Sequence, residues 1–125
     1  MDRRDVERWM EGYLHAWDSN DPEDVGRLFS DDARYYTAPH REPWTGRNGI
    51  VSGWIDHRDQ PGTWEFRYEV LGIDGEVAFV RGWTLYHATS EEAESAHSNL
   101  WVIRLDGEGR CSEFIEWWME YSPGR

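Results

Sequence analysis

The 125-residue chain carries 13 Arg, no Lys and 25 acidic residues, for a formal net charge of -12, and its length provides for one domain, residues 1–125, around one core. A surface this acidic repels phosphate and anionic lipid headgroups, and the Arg residues are scattered singly, so neither nucleic acid nor a membrane is expected as a partner. A hydrophobic fraction of 38% with 30% charged residues excludes a chain of membrane spans, while nine Trp, six Tyr and four Phe exclude disorder and require an aromatic core.

Residues Met1 to Asp5 lead directly into an amphipathic pattern with no apolar export run, which gives the cytoplasm as the expected compartment. Val6, Trp9, Met10, Tyr13, Leu14 and Trp17 recur at helical spacing and predict a first helix lying on the core. Asp21, Pro22, Glu23 and Asp24 then form a helix start: a capping carboxylate, proline at the first helical position, and acids where the helix dipole favours them. Val25, Leu28 and Phe29 make a short second stripe, which Asp31 and Asp32 end. Ala33 to Thr37 reads as a short strand, and Ala38 through Pro39, Pro43 and Gly46 as a loop. A third helix, Arg47 to Arg58, is weakened by Gly49 and Gly53 and has Ile50, Val51 and Trp54 as its stripe.

Beyond Thr63 the period changes from helical to two, predicting a meander of long antiparallel strands: Trp64 to Ile73, Glu76 to Thr89, Ser95 to Leu105 and Arg110 to Tyr121. Asp74-Gly75 is a preferred hairpin turn, and Asp106 to Gly109 a second tight turn. Helices packed on one face of such a sheet give an α+β domain.

Tyr13 through Trp17, Asp21, Asp24, Leu28-Phe29, Asp31-Asp32-Ala33, Pro43, Gly46 and Ile50, with the Asp106 to Arg110 turn and the ending Glu116-Trp117-Trp118-Met119-Glu120, resemble SnoaL-like proteins. These belong to the nuclear-transport-factor-two-like superfamily, with ketosteroid isomerase, scytalone dehydratase and limonene epoxide hydrolase. The resemblance implies a cone-shaped barrel: a strongly curved, mainly antiparallel sheet wrapped around three N-terminal helices and enclosing one apolar pocket. It also implies a homodimer through the sheet's outer face, where Trp117 and Tyr121 are expected.

Strand alternation, with the family register, predicts the pocket-facing side chains. They are Phe79, Arg81, Trp83, Leu85 and His87 on one strand, His97, Asn99, Trp101, Ile103 and Leu105 on the next, and Ser112, Phe114, Glu116, Trp118 and Glu120 on the last. This places Arg81, His97, Asn99 and Glu116 among Trp83, Trp101 and Trp118. A carboxylate walled by indoles rises in pKa and a nearby Arg lowers it again, so Glu116 is a candidate base or acid. His97 is a second, titrating near neutrality without help.

The resemblance aligns Tyr13 with the tyrosine of the ketosteroid isomerase oxyanion hole, where a phenol donates to an oxygen gaining charge. The same alignment puts Thr37 at the family's general-base aspartate and Trp101 at its protonated acid, so steroid isomerisation by that machinery is not expected. The epoxide hydrolase pattern, an Arg between two acids, is echoed in part by Arg81 and Glu116. Candidate catalytic residues are therefore Tyr13, Arg81, His97 and Glu116; candidate substrate contacts are Trp17, Trp54, Trp83, Asn99, Trp101, Phe114 and Trp118. His57, at the third helix's end, reads first as an exposed terminus, with a place over the pocket mouth as the alternative.

No Gly-rich phosphate loop and no ligand-spaced Cys/His cluster is present, so no nucleotide, flavin or metal cofactor is expected; the lone Cys111 has no partner. Two functions fit. One is a cofactor-independent enzyme performing acid-base chemistry (cyclisation, dehydration, isomerisation or epoxide opening) on a bulky apolar oxygenated molecule such as a polyketide or terpenoid. The other is a dimeric binding or accessory protein that uses the same cavity for a small apolar or aromatic molecule without chemistry.

Overall fold

The computed structural model describes residues 1–122. Helix α1 spans Arg3–Ser19, α2 Pro22–Gly26 and α3 Gly46–Asp56; strands β1 to β6 span Phe29–Tyr36, Trp44–Thr45, Trp64–Asp74, Val77–Tyr86, Ser95–Leu105 and Cys111–Tyr121. Among the described residues no helix is long and apolar enough to cross a membrane.

Helix α1 begins at a capping box: the Asp2 carboxylate accepts from the Asp5 amide at 3.0 Å while the Asp5 carboxylate accepts from the Asp2 amide at 2.9 Å. Val6, Trp9, Met10, Tyr13 and Trp17 are buried along its predicted stripe. Helix α2 has the expected Asp21 cap, donated to by the Glu23 amide, but it ends at Gly26.

The second stripe therefore breaks, because Phe29 is needed in the sheet. It opens β1 opposite Cys111, and the Leu28 carbonyl accepts from both the Cys111 amide at 2.7 Å and the Trp9 indole at 2.9 Å. Asp31 and Asp32 consequently lie within β1 and do not end a helix. The predicted loop before α3 contains β2, which pairs Trp44 with Tyr35. Gly53 has a packing reason to be in α3: a Cβ there would overlap the Trp44 ring.

The sheet order is β2-β1-β6-β5-β4-β3. The predicted meander accounts for β3 to β6, whereas β1 returns alongside β6 in parallel. Strand β4 ends at Tyr86 and not at Thr89, since the Thr89 hydroxyl accepts from the Glu91 and Glu92 amides and shapes a turn. Register shifts between Val70 and Gly72, between Arg104 and Leu105, and along β1 add bends, and bends of this kind increase local twist. The result is an α+β fold with one strongly curved sheet folded around the helices, left open and not closed into a complete barrel. Its core is aromatic as required: Tyr35 stacks on Phe114 at 4.4 Å and on Trp44 at 5.0 Å, and Phe66 stacks on Trp101 at 5.0 Å.

Candidate active site

The inner face of the sheet decides which side chains meet. On β5, Asn99, Trp101, Ile103 and Leu105 are buried as alternation predicts, and His97 shares their face. They pair across β6 with Trp118, Glu116, Phe114, Cys111 and Glu120. The register shift near Arg104 puts Cys111 on the core side in place of Ser112.

On β4 the predicted face is inverted. Ala78, Val80 and Thr84 are buried with Gly82, while Phe79, Arg81, Trp83 and Leu85 lie on the outer face. The reason is steric: the Phe66 ring crosses β4 at Gly82, where a Cβ would lie 2.5 Å from Phe66 Cζ, so only small side chains fit inside the curve. Arg81 is thus a surface residue, 3.8 Å from Glu69, and its guanidinium sits 4.6 Å from the centre of the Trp83 ring. Arg67 stacks on that ring as well, at 4.0 Å. Arg81 and Trp83 do not reach the pocket, and no Arg81–Glu116 pair exists.

A chamber of about 180 Å³ opens at one end of the curved sheet. Helix α1 contributes Tyr13 and Trp17, β1 Tyr35, α3 Trp54, and the segment after α3 Asp59; β4, β5 and β6 contribute Thr84 and Tyr86, Asn99 and Trp101, and Glu116. Trp44, Thr37, His57 and Arg58 complete the wall, so His57 is both exposed and at the mouth. A second, shallower hollow of about 450 Å³ shares Arg58, Asp59 and Tyr86 with the chamber.

One hydrogen-bonded chain organises the polar side. The Thr84 hydroxyl donates to Asn99 Oδ1 at 2.7 Å, which orients the amide so that Asn99 Nδ2 donates to Glu116 Oε2 at 2.7 Å. The Trp101 indole donates to the same oxygen at 2.9 Å. Burial pushes the Glu116 carboxyl above its ordinary range, and the two neutral donors only partly offset this. Beside it, the Tyr13 and Tyr35 hydroxyls are 2.7 Å apart. Burial, and the nearby Glu116 charge, raise both phenols well above the usual tyrosine range, so they persist as neutral donors. Tyr86 is raised too, first by burial and then by the charges of Asp59 and Glu116. Asp59 Oδ2 accepts from the Trp17 indole at 2.9 Å.

The structure therefore brings together Tyr13, Trp17, Trp54, Asn99, Trp101 and Glu116 from the predicted set. Phe114 faces inward but is fully buried beneath Tyr13 and Tyr35, behind the chamber wall. Trp118 has the predicted register yet is 42% exposed, beyond the chamber, with the His97 ring against it and Arg41 5.9 Å away. His97 borders the second hollow, with Nε2 3.6 Å from Glu120. Tyr35, Asp59, Thr84 and Tyr86 line the chamber and were not among the predicted site residues. Thr84 follows from the inverted β4 face, and Asp59 has no periodic signal because it lies in a loop. Among the described residues no three His, Cys, Asp or Glu converge as a metal site.

Two solved structures share this architecture. SalBIII, described as an epoxide hydrolase/cyclase-like enzyme with a role in pyran ring formation in the polyether salinomycin, is 13% identical, with a TM-score of 0.74 over 94% of this chain and 93% of its own. An M. tuberculosis LEH-like epoxide hydrolase is 16% identical, with a TM-score of 0.68 over 93% of this chain and 84% of its own. No curated protein matches the sequence. The SnoaL-like domain family matches residues 6–114, nearly the whole chain, and the protein belongs to that family.

Proposed function

We propose that the chamber is the active site of a cofactor-independent enzyme that opens an epoxide, cyclises, dehydrates or isomerises an oxygenated small molecule. The observation that carries this reading is Glu116: a carboxyl held by two neutral donors, Asn99 Nδ2 and Trp101 Nε1, with its pKa raised and its place on the chamber wall. A carboxyl raised above its ordinary range keeps its proton to higher pH and is a stronger base once ionised, as acid-base catalysis requires.

In the Tyr13–Tyr35 pair only one hydroxyl hydrogen is used between the two oxygens, so the other is free to donate to a substrate oxygen as charge develops there. Glu116 then protonates or deprotonates the adjacent centre, while Trp54, Trp101 and Trp17 hold the substrate's faces. The epoxide chemistry in the descriptions of SalBIII and the LEH-like hydrolase fits a proton donor beside an oxygen. The Arg between two acids is not reproduced here, since Arg81 lies outside.

Size restricts the substrate. At about 180 Å³ the chamber is smaller than ordinary ligand pockets, which run from roughly 300 Å³ upward, and takes one ring with its oxygen. The rest of a bulky polyketide or terpenoid would occupy the hollow beyond Asp59 and Tyr86.

The test is turnover of cyclohexene oxide and of a β-hydroxyketone by the wild type and by Glu116→Gln. The expected result is a rate loss of about a hundredfold or more in the variant, with ligand affinity retained. Equal rates would remove Glu116 from the mechanism. A wild type that binds both compounds and converts neither would favour a non-catalytic binder.

A further inference from the structure

The chamber wall holds two carboxylates, Asp59 and Glu116, and neither is held in an ion pair among the described residues. Both hydrogen bonds to Glu116 come from neutral groups and both end on Oε2; Asp59 Oδ2 likewise accepts from a neutral indole. The ion pairs among the described residues involve neither acid. Two basic side chains touch the wall, and both are engaged with the end of α3: Arg58 Nη1 donates to the Ile55 carbonyl at 2.9 Å and His57 Nδ1 lies 2.9 Å from the Gly53 carbonyl. The remaining groups facing the acids are Tyr13, Tyr35, Tyr86, Asn99 and Trp101, all neutral.

Resting on the active-site reading above, we propose that the substrate carries an ammonium group, held by Asp59 and Glu116 against the indole and phenol faces of the chamber. Aromatic faces attract cations through their quadrupoles, most strongly where water is excluded, and four tryptophans and three tyrosines line this space. Carboxylates whose only partners are neutral complete such a cage, since burial makes an unmatched charge costly and a ligand cation removes that cost. An anionic substrate would meet two like charges here, within a chain of net charge -12 that repels it from a distance. The free hydroxyl hydrogen of the Tyr13–Tyr35 pair adds an oxygen site in the same space, so the substrate class is an amino alcohol, amino ketone or amino epoxide.

Ammonium binding also acts on Glu116. A cation beside the carboxyl favours its charged form, opposing the effect of burial, so the ligand's arrival shifts Glu116 toward its basic form.

Three probes of one shape separate the possibilities: choline, the neutral 3,3-dimethylbutan-1-ol and the anionic 3,3-dimethylbutanoate, titrated calorimetrically into wild type, Asp59→Asn and Glu116→Gln. Choline is expected to bind about tenfold tighter than the alcohol, and the butanoate weakest. Each substitution is expected to reduce the choline preference several-fold. If alcohol and choline bind alike to the wild type, the chamber stands as a ligand site and the ammonium does not. If none of the three binds, the chamber reading falls as well. If both variants are folded by their melting curves and keep the full preference, the carboxylates are not its source; if a variant does not fold, the wild-type comparison decides.

Discussion

Glu116 makes the stability of the fold depend on pH in a direction opposite to most carboxylates. Burial raises its pKa above the ordinary 4.5, so between that value and the raised one the folded chain holds a proton that the unfolded chain has lost. The stabilising effect is complete below about pH 4.5 and is lost as pH climbs through the raised pKa. Glu116→Gln keeps an oxygen to accept from Asn99 and Trp101 but has no proton to lose. Its urea midpoint is expected to gain on the wild type as pH rises from 4.5 toward neutrality, and curves that stay parallel would show that Glu116 titrates normally. Tyr13→Phe acts differently: it strips the Tyr35 hydroxyl of its partner in a buried place, at a cost of roughly 1 kcal/mol seen in thermal melts. At this scale Glu116, Asn99 and Trp101 were legible because alternation sorts each strand into two faces and the family resemblance chose which face turns inward. Asp59 was not, because a loop side chain is positioned by its contacts, here the Trp17 indole, and not by any period.

Among the elements, β4 is the instructive one. Its two possible faces, Phe79-Arg81-Trp83-Leu85 and Ala78-Val80-Gly82-Thr84, differ in bulk, and the larger apolar set has the stronger claim on a core by hydrophobicity alone. Curvature reverses that preference: the concave side is already filled by Phe66, Trp101 and Asn99, so the small set goes in and the large set covers the convex side, where Arg67 and Arg81 shield Trp83. Helix α1, the meander and the register of β5 and β6 needed no such information, since their patterns follow local geometry. Gly82→Ala tests the account. The new methyl would lie 2.5 Å from Phe66 Cζ and 2.6 Å from Cε1 in the middle of the sheet, and is expected to cost about 1–3 kcal/mol and several degrees of Tm. Gly72→Ala, with nothing within 4 Å of the added carbon, is the control and should change stability by less than about 0.5 kcal/mol. Equal melting of the two variants would mean that Phe66 does not press on β4.

On the scale of the whole molecule, the outer face of the sheet carries more apolar surface than a single chain has use for. Trp117 and Tyr121 are each 42% exposed, Met119 74% and Leu100 37%, and Leu100 lies directly across from Trp117. Contiguous apolar surface of this kind marks an association site, and the homodimer implied by the resemblance is expected to use it. Electrostatics opposes that step, because each copy brings a net charge of -12. Salt should therefore strengthen the dimer: the screening length falls from about 30 Å at 0.01 M to about 8 Å at 0.15 M ionic strength, while apolar burial is unaffected or gains slightly. Sedimentation velocity is expected to show the two-chain species increasing with NaCl, and Met119→Glu, which buries a charge in the contact, to return a single chain at both ionic strengths. A wild type that sediments as one chain throughout would leave the tryptophan-rich face as exposed surface, and a dimer that weakens with salt would place ion pairs such as Arg81–Glu69 between the copies instead of apolar side chains.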